Sequence, residues 1–399
     1  MAYPVVRLKP QRPERVNHPW IYDNEVASSP HASGVFQNGN CVAVQDSRGK
    51  RLGIGYYNSK SKIVIRYLTR NPAETIDAAF WRERVRRAHA YRVARFAAQG
   101  GLPSAYRLSH GEADGLPGLV VDIYGEYAVV QFLALGLEPW RSAIISAVSE
   151  FSGCPNVYER SDSAVRKLEG LEEQMGVLLG EEPPDTLEVD EGDVVSLVDI
   201  KRGGKTGLFL DQRENQRAAA KEAAGRDVLN CFSYTGLFGL RAAKAGARSM
   251  IEVEASAAFN AVNEMQWTRN GVEIPHTILA DNVFDYLRNR EKAGDRHDMI
   301  VLDPPAFTKN RASREGAARG YNEINRMAMR MLRADGILVT CSCSHHITTE
   351  EFRGIVEKAA DDAGRTARLI AARTQPPDHP ILLNVGESEY LKCLILAIE

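Results

Sequence analysis

Metal-binding cysteine pairs are missing from this 399-residue chain: its six cysteines, Cys41, Cys154, Cys231, Cys341, Cys343 and Cys393, form no Cys-x-x-Cys. Zinc loops need that spacing, and disulfide frameworks belong to short secreted chains, so reduced thiols and no structural metal are expected. Cys341-Ser342-Cys343 is too tight for a zinc loop. No apolar run reaches the roughly 18 residues that span a bilayer. The start, Met1-Ala2-Tyr3-Pro4-Val5-Val6-Arg7, lacks an apolar signal-peptide core. There is no internal repeat and no low-complexity tract. What remains is an ordinary globular composition, 44% hydrophobic and 26% charged, long enough for two or three domains and expected in the cytoplasm.

Net charge is scarce too, at −2, but it is unevenly spread. Residues 1–100 hold 17 Lys and Arg against 7 Asp and Glu, a net +10, which leaves −12 for the rest. A basic first third on a near-neutral chain points to a polyanion, nucleic acid first. Residues 1–72 read as a small all-β unit, with apolar runs such as Cys41–Val44 and Ile63–Leu68 between glycine-containing turns. Lys50, Arg51, Lys60, Lys62, Arg66 and Arg70 lie in and beside those runs, interleaved with Tyr56, Tyr57 and Tyr67. On a barrel, such residues suit phosphate contacts and base stacking.

A helix is expected from Thr75 to Gln99, with Phe80, Val85, Ala88, Tyr91 and Phe96 near one face, six arginines on the rest, and Gly100-Gly101 closing it. Residues 73–190 then read as a small α+β domain. Its His110, beside two glycines and two acids, reads as a turn residue. From 191 to 399 strands and helices alternate, which argues a doubly wound, mostly parallel sheet. Strands are expected at Asp227–Asn230, Ser249–Val253, Thr277–Ala280, Met299–Leu302, Gly336–Thr340 and Tyr390–Ala397.

The chemistry gathers where these strands end. Asp303-Pro304-Pro305 stops the fourth strand, because neither proline can donate to a ladder. Open α/β sheets bind ligands at that carboxyl edge. The first strand runs into Asn230-Cys231-Phe232-Ser233-Tyr234-Thr235-Gly236, where a glycine lets a ligand approach the backbone. Gly236 and Gly239 stand without the first glycine of a dinucleotide fingerprint, so a nucleoside fits better than a pyrophosphate. Glu254, eighteen residues after Gly236, can accept from both ribose hydroxyls. Asp281 can accept from an adenine amine, with Val283 and Phe284 flanking the ring. The fifth strand ends in Thr340-Cys341-Ser342-Cys343-Ser344, a thiol at the same edge as Asp303. The apolar run before Cys341 predicts its burial, and Cys343 lies past the edge, so Cys343 is the expected nucleophile and Cys341 a packing residue.

This arrangement resembles a class I S-adenosylmethionine-dependent methyltransferase, with a Rossmann-like domain. More closely, the chain resembles the RlmI-type cytosine-5 methyltransferases of 23S ribosomal RNA. His18-Pro19-Trp20-Ile21 and Gly53-Ile54-Gly55-Tyr56-Tyr57-Asn58 are similar to that family's N-terminal PUA barrel. Gly111 to Leu119 resembles its central domain, and Lys205 to Arg213 the segment leading into its catalytic domain. Asn230 to Gly236 and Asp303-Pro304-Pro305 match its cofactor and catalytic loops, and Ser342-Cys343-Ser344 its catalytic Ser-Cys-Ser. There are departures: Glu254 stands where Asp is commoner, and Ala306 follows the prolines where some members have Lys, with Lys309 three residues on.

The resemblance implies domains at 1–72, 73–190 and 191–399. It implies S-adenosylmethionine as cofactor, held by Phe209, Asp211, Asn230, Phe232, Tyr234, Thr235, Gly236, Glu254, Ser256, Asp281, Val283, Phe284, Asp303 and Pro304. Cys343 and Asp303 are its implied catalytic pair: a thiolate adds to cytosine C6, and C5 then takes the methyl group. The target base must be unpaired or flipped out. The implied partner is 23S RNA before the subunit is fully assembled, and a homo-oligomer is compatible. Two rivals remain. An exocyclic-amine methyltransferase would carry an aromatic residue directly after Asp-Pro-Pro, where Ala306 stands. A non-catalytic RNA-binding scaffold would not need the acids and the thiol.

Overall fold

The computed structural model describes residues 3–10, 17–27, 36–308 and 313–399. The chain divides into two compact units. One holds residues 1–189, 198–210 and 377–388, and the other 190–197, 211–376 and 389–399.

The first unit contains two five-stranded sheets. In one, the order is Val5–Arg7, Cys41–Gln45, Arg51–Tyr57, Ile63–Thr69, Trp20–Tyr22. A bridge between Leu8 and Val26 ties the segments following its two edge strands, so the sheet curls around a core of Val6, Ile21, Val42, Val44, Ile65 and Tyr67. In the other, the order is Gln174–Leu179, Asn156–Ser161, Tyr127–Phe132, Leu119–Tyr124, Ala105–His110. It is covered by helices Ala78–Phe96 and Arg141–Ser152. Asp77 starts the first helix by accepting from Phe80 N at 2.9 Å.

Beside the core around Val6, Ile21 and Tyr67, which lies within 1–72, a second cluster spans the expected boundary at 72/73. Ile54, Tyr56 and Leu68 of the first sheet pack in one cluster with Trp81, Leu119, Phe132 and Leu137. Gly136 lies so near the Tyr56 ring that an added Cβ would stand 2.0 Å from it. Within the expected 191–399 domain, stretches 198–210 and 377–388 belong to the first unit. Buried polar bonds hold them. Thr206 Oγ1 donates to Asp122 at 2.6 Å, Asp122 pairs with Arg107 at 2.8 Å, and Arg107 N donates to Asp378 at 3.1 Å.

The second unit is built on one seven-stranded sheet, whose strands are numbered here within that sheet: β1 Asp227–Cys231, β2 Ser249–Val253, β3 His276–Leu279, β4 His297–Leu302, β5 Leu332–Ser342, β6 Ala367–Arg373 and β7 Lys392–Ile398. Their order is β3-β2-β1-β4-β5-β7-β6. The β1 to β5 pairs are parallel, and β7 runs antiparallel between β5 and β6. The Rossmann-like sheet read from the sequence is therefore present. Its order reverses at β1/β4, which opens a crevice at the carboxyl edge beside them. Apolar β4 and β5 are buried on both faces, under helix Arg314–Met331 among others.

Candidate active site

Loop 231–236 leaves β1 in an unusual conformation. Phe232 and Tyr234 both take positive φ, 59° and 51°, which side chains with a Cβ rarely adopt. Gly236 follows at φ 81°, and a Cβ there would meet Asn263 Oδ1 at 1.9 Å. Gly239 is required by Glu252, whose Oε1 would lie 2.0 Å from an added Cβ. The two glycines thus serve close packing of the loop and helix against Asn263 and Glu252, not a phosphate cradle. Glu252 is a buried hub, accepting from Asn230 Nδ2 at 3.0 Å, Asn263 Nδ2 at 2.5 Å and Trp267 Nε1 at 3.2 Å.

Glu254 sits at the end of β2 with both oxygens oriented. Tyr234 N donates to one at 3.2 Å and Ser256 N to the other at 2.9 Å. Each carboxylate oxygen has two lone pairs, so the group can still accept two hydroxyls side by side. Ser256 caps helix Ala257–Asn270. Ser233 Oγ and Thr235 Oγ1 are buried without a hydrogen-bond partner, as expected of a loop shaped for a polar ligand. An exposed carboxylate, Asp281, follows β3, and Asn282 caps helix Val283–Ala293. Phe284 stands at the edge, its ring 6.2 Å from Phe232 and 5.6 Å from Phe307. Val283 starts that helix, and its side chain lies in the core cluster against which Phe232 and Phe284 pack. These residues fit an adenosyl group: a diol acceptor, an exposed acid near the base, and aromatic faces.

Asp303 leaves β4 next to that loop, its N–H donating to Cys231 O at 3.4 Å. A polar chain orients its carboxylate. Arg373 Nε donates to Asn215 Oδ1 at 3.1 Å, Asn215 Nδ2 to Gln212 Oε1 at 2.8 Å, and Gln212 Nε2 to Asp303 Oδ1 at 2.7 Å. β5 extends through Ser342, so Cys343 is the first residue beyond it and half-buried. Its thiol donates weakly to Pro304 O at 3.9 Å. Tyr321 OH lies 3.0 Å from Ser342 Oγ and 2.9 Å from Ser344 Oγ, fixing both neighbours of the cysteine. Cys341 is fully buried opposite Cys393, and contact with that thiol, with burial, pushes its own well above the usual range. The two cysteines are thus separated by one residue and by environment, as their positions along the strand predict.

Asp211 is buried and accepts from Tyr390 OH at 2.6 Å. Phe209 lies in the first unit, where its ring faces Lys205 Nζ at 4.6 Å. Also in that unit, Lys50, Arg51, Lys60 and Lys62 are exposed. Arg66 is not. It is buried between Glu112, 2.8 Å away, and Glu169, 3.1 Å away, and is neutralised there. Tyr56, Tyr57 and Tyr67 are also core residues, at most 6% exposed, so they cannot stack on bases. Both faces of these strands are covered: the adjacent Tyr56 and Tyr57 are both buried, in different core clusters. Lys309 lies outside the described residues. Sequence reasoning missed Gln212, Asn215, Glu252 and Lys392. Lys392 and Glu252, each a lone charge in an apolar strand, carried a visible signal.

Fold and edge together define a class I methyltransferase. Residues 6–70 match the PUA-like domain family and residues 170–396 the S-adenosylmethionine-dependent methyltransferase family. The ribosomal RNA large subunit methyltransferase I of Klebsiella pneumoniae (strain 342) is 41% identical over 377 residues, 94% of this chain and 93% of its own. That of Tolumonas auensis is 41% identical over 384 residues, 95% of each. The solved structure of SMU.776 complexed with SAH superposes with a TM-score of 0.84 at 20% identity, over 99% of this chain and 100% of that one, a likeness of fold. The chain belongs to the ribosomal RNA large subunit methyltransferase I family, and its cofactor is S-adenosylmethionine. Among the described residues, no helix is long and apolar enough to cross a membrane, and no cluster of three or more metal-ligating side chains occurs.

Proposed function

We propose that this protein methylates C5 of a cytosine in 23S ribosomal RNA, with Cys343 as a covalent nucleophile. The reading rests above all on the approach of Cys343 Sγ to Pro304 O, 3.9 Å, which brings a half-buried thiol beside Asp303 at the edge of two neighbouring strands. The thiolate adds to C6 and makes C5 electron-rich. S-adenosylmethionine supplies the methyl group. Asp303, oriented by Gln212, engages the N3/N4 edge of the pyrimidine as charge develops there. Loss of the C5 proton and expulsion of the thiolate free the product and restore the thiol. Glu254 holds the ribose of the cofactor and Asp281 its adenine. Lys50, Arg51, Lys60 and Lys62 contribute phosphate contacts, and the RNA is met in the cytoplasm before the subunit is complete. An exocyclic-amine methyltransferase would make no use of the thiol. Nucleoside mass spectrometry of RNA incubated with the purified chain and S-adenosylmethionine decides. 5-Methylcytosine, lost in Cys343→Ala, is expected. A methylated adenine or guanine, or an active Cys343→Ala variant, would overturn the reading.

A further inference from the structure

Lys392 is the anomaly of this site. It opens β7, is 2% exposed, and lies across the antiparallel pair from Ser342, one residue before Cys343. Its ammonium donates at 2.8 Å to Ser344 O and at 2.8 Å to Tyr390 O, both neutral carbonyls. A buried cation normally has an anion bonded to it, because two carbonyls do not offset its lost hydration. Among the described residues, no carboxylate is bonded to it. The ionisable groups acting on it are Cys343 and Glu389, and Glu389 is exposed and accepts from Thr349 Oγ1 at 3.1 Å. Among groups packed at this strand end, the Tyr390 phenol is engaged with Asp211 at 2.6 Å, and Cys341 is occupied with Cys393. Among the described residues, that leaves the thiol of Cys343 as the group able to balance the charge.

We propose that Lys392 takes the thiol proton of Cys343 and holds the resulting thiolate ready for attack; this rests on Cys343 being the nucleophile. One S–H bond breaks and one N–H bond forms, and no charge enters or leaves the pocket. Neutral amine with thiol, and ammonium with thiolate, are two states of one buried pair. The carbonyl bonds to Ser344 and Tyr390 aim the nitrogen in both. Burial lowers Lys392 to about 8, opposed by the attraction of Cys343, which brings the amine close to the roughly 8.5 of a free thiol. Asp303 lies at the neighbouring strand end, and a carboxylate disfavours a thiolate. Lys392 is a positioning residue here: it acts through Cys343.

The test is the pH dependence of Cys343 alkylation by iodoacetamide in the full-length chain, followed by peptide mass spectrometry. The wild type should titrate below about 8.5. Lys392→Met should raise the midpoint by about one unit, so that labelling at neutral pH slows about tenfold, and Lys392→Arg should keep it low. A wild-type midpoint at or above the ordinary thiol value overturns the proposal, even if both variants fail to fold. So does an unmoved midpoint in a Met variant that still binds S-adenosylmethionine. A covalent adduct with 5-fluorocytosine RNA separates this inference from the one beneath it. An adduct on Cys343 with an unmoved midpoint sinks only the role of Lys392, whereas an adduct on another residue sinks the assignment of Cys343 itself.

Discussion

Glu254 shows what a single residue does here. Two backbone N–H groups fix its carboxylate, and two lone pairs remain for a diol. Glu254→Ala should therefore lose two charge-assisted bonds to the ribose, at about 1.5–3 kcal/mol each. Isothermal calorimetry with S-adenosylmethionine measures this, and unchanged affinity would remove Glu254 from the site. Cys341→Ala should keep methyl transfer and cost some stability through the small cavity left opposite Cys393. Loss of activity with an intact fold would contradict its packing role. The acids were legible in the sequence because each follows an apolar strand at a position where the chain must turn. Arg66 and the three tyrosines were misread because nothing in these short runs says that both faces of the strands are covered. Arg66 is inward because Glu112 and Glu169, 46 and 103 residues away, neutralise it. No local pattern encodes so distant a pair.

Elements carry the next layer. Helix Leu237–Lys244 and strands β1, β2, β4 and β7 were readable to within a few residues, because apolar runs and flanking glycines bound them. Helix Thr349–Ala363 and edge strand β6 were not read, although the helix carries a Thr348/Glu351 capping box and buries Phe352, Val356, Ala359 and Ala360 on one face; β6 is mostly exposed. Loop 231–236 was read as a ligand loop, yet the packing reason for Gly236 came only with the structure. Gly236→Ala should be strained at φ 81° and collide with Asn263. Thermal melts should fall and S-adenosylmethionine affinity should drop with them, since the same loop carries Ser233 and Thr235. A fully tolerated alanine would argue against the tight loop. In the first unit, Arg92 is wholly buried and grips Asp114 while also donating to Arg107 O and Asp378 O, at 2.8 Å each. Arg92→Ala would strand a buried carboxylate, at about 3–5 kcal/mol. Chemical denaturation reads this loss, and a change below about 1 kcal/mol would contradict the buried-pair account.

For the whole molecule, the +10 of residues 1–100 was the first clue and survives in part. Lys50, Arg51, Lys60 and Lys62 are exposed, while Arg66 and Arg92 are turned inward as structural charges. Deleting residues 1–70 is a poor test of RNA binding, because Ile54, Tyr56 and Leu68 belong to a core shared with the second sheet. Replacing the four exposed cations by Gln leaves that core intact. It should weaken RNA binding and flatten its salt dependence by up to about 3 in log–log slope, at about 0.7 for each phosphate of a single strand no longer neutralised. An unaltered slope would place the RNA elsewhere. The proposed methyl transfer depends on covalent attack by one particular thiol. Incubating the full-length protein and S-adenosylmethionine with RNA carrying 5-fluorocytosine should trap the addition product, since fluorine cannot leave C5 as a proton does. Peptide mapping should find the RNA on Cys343, with Cys343→Ala forming none. An adduct on Cys341, or one that forms without Cys343, would contradict the account.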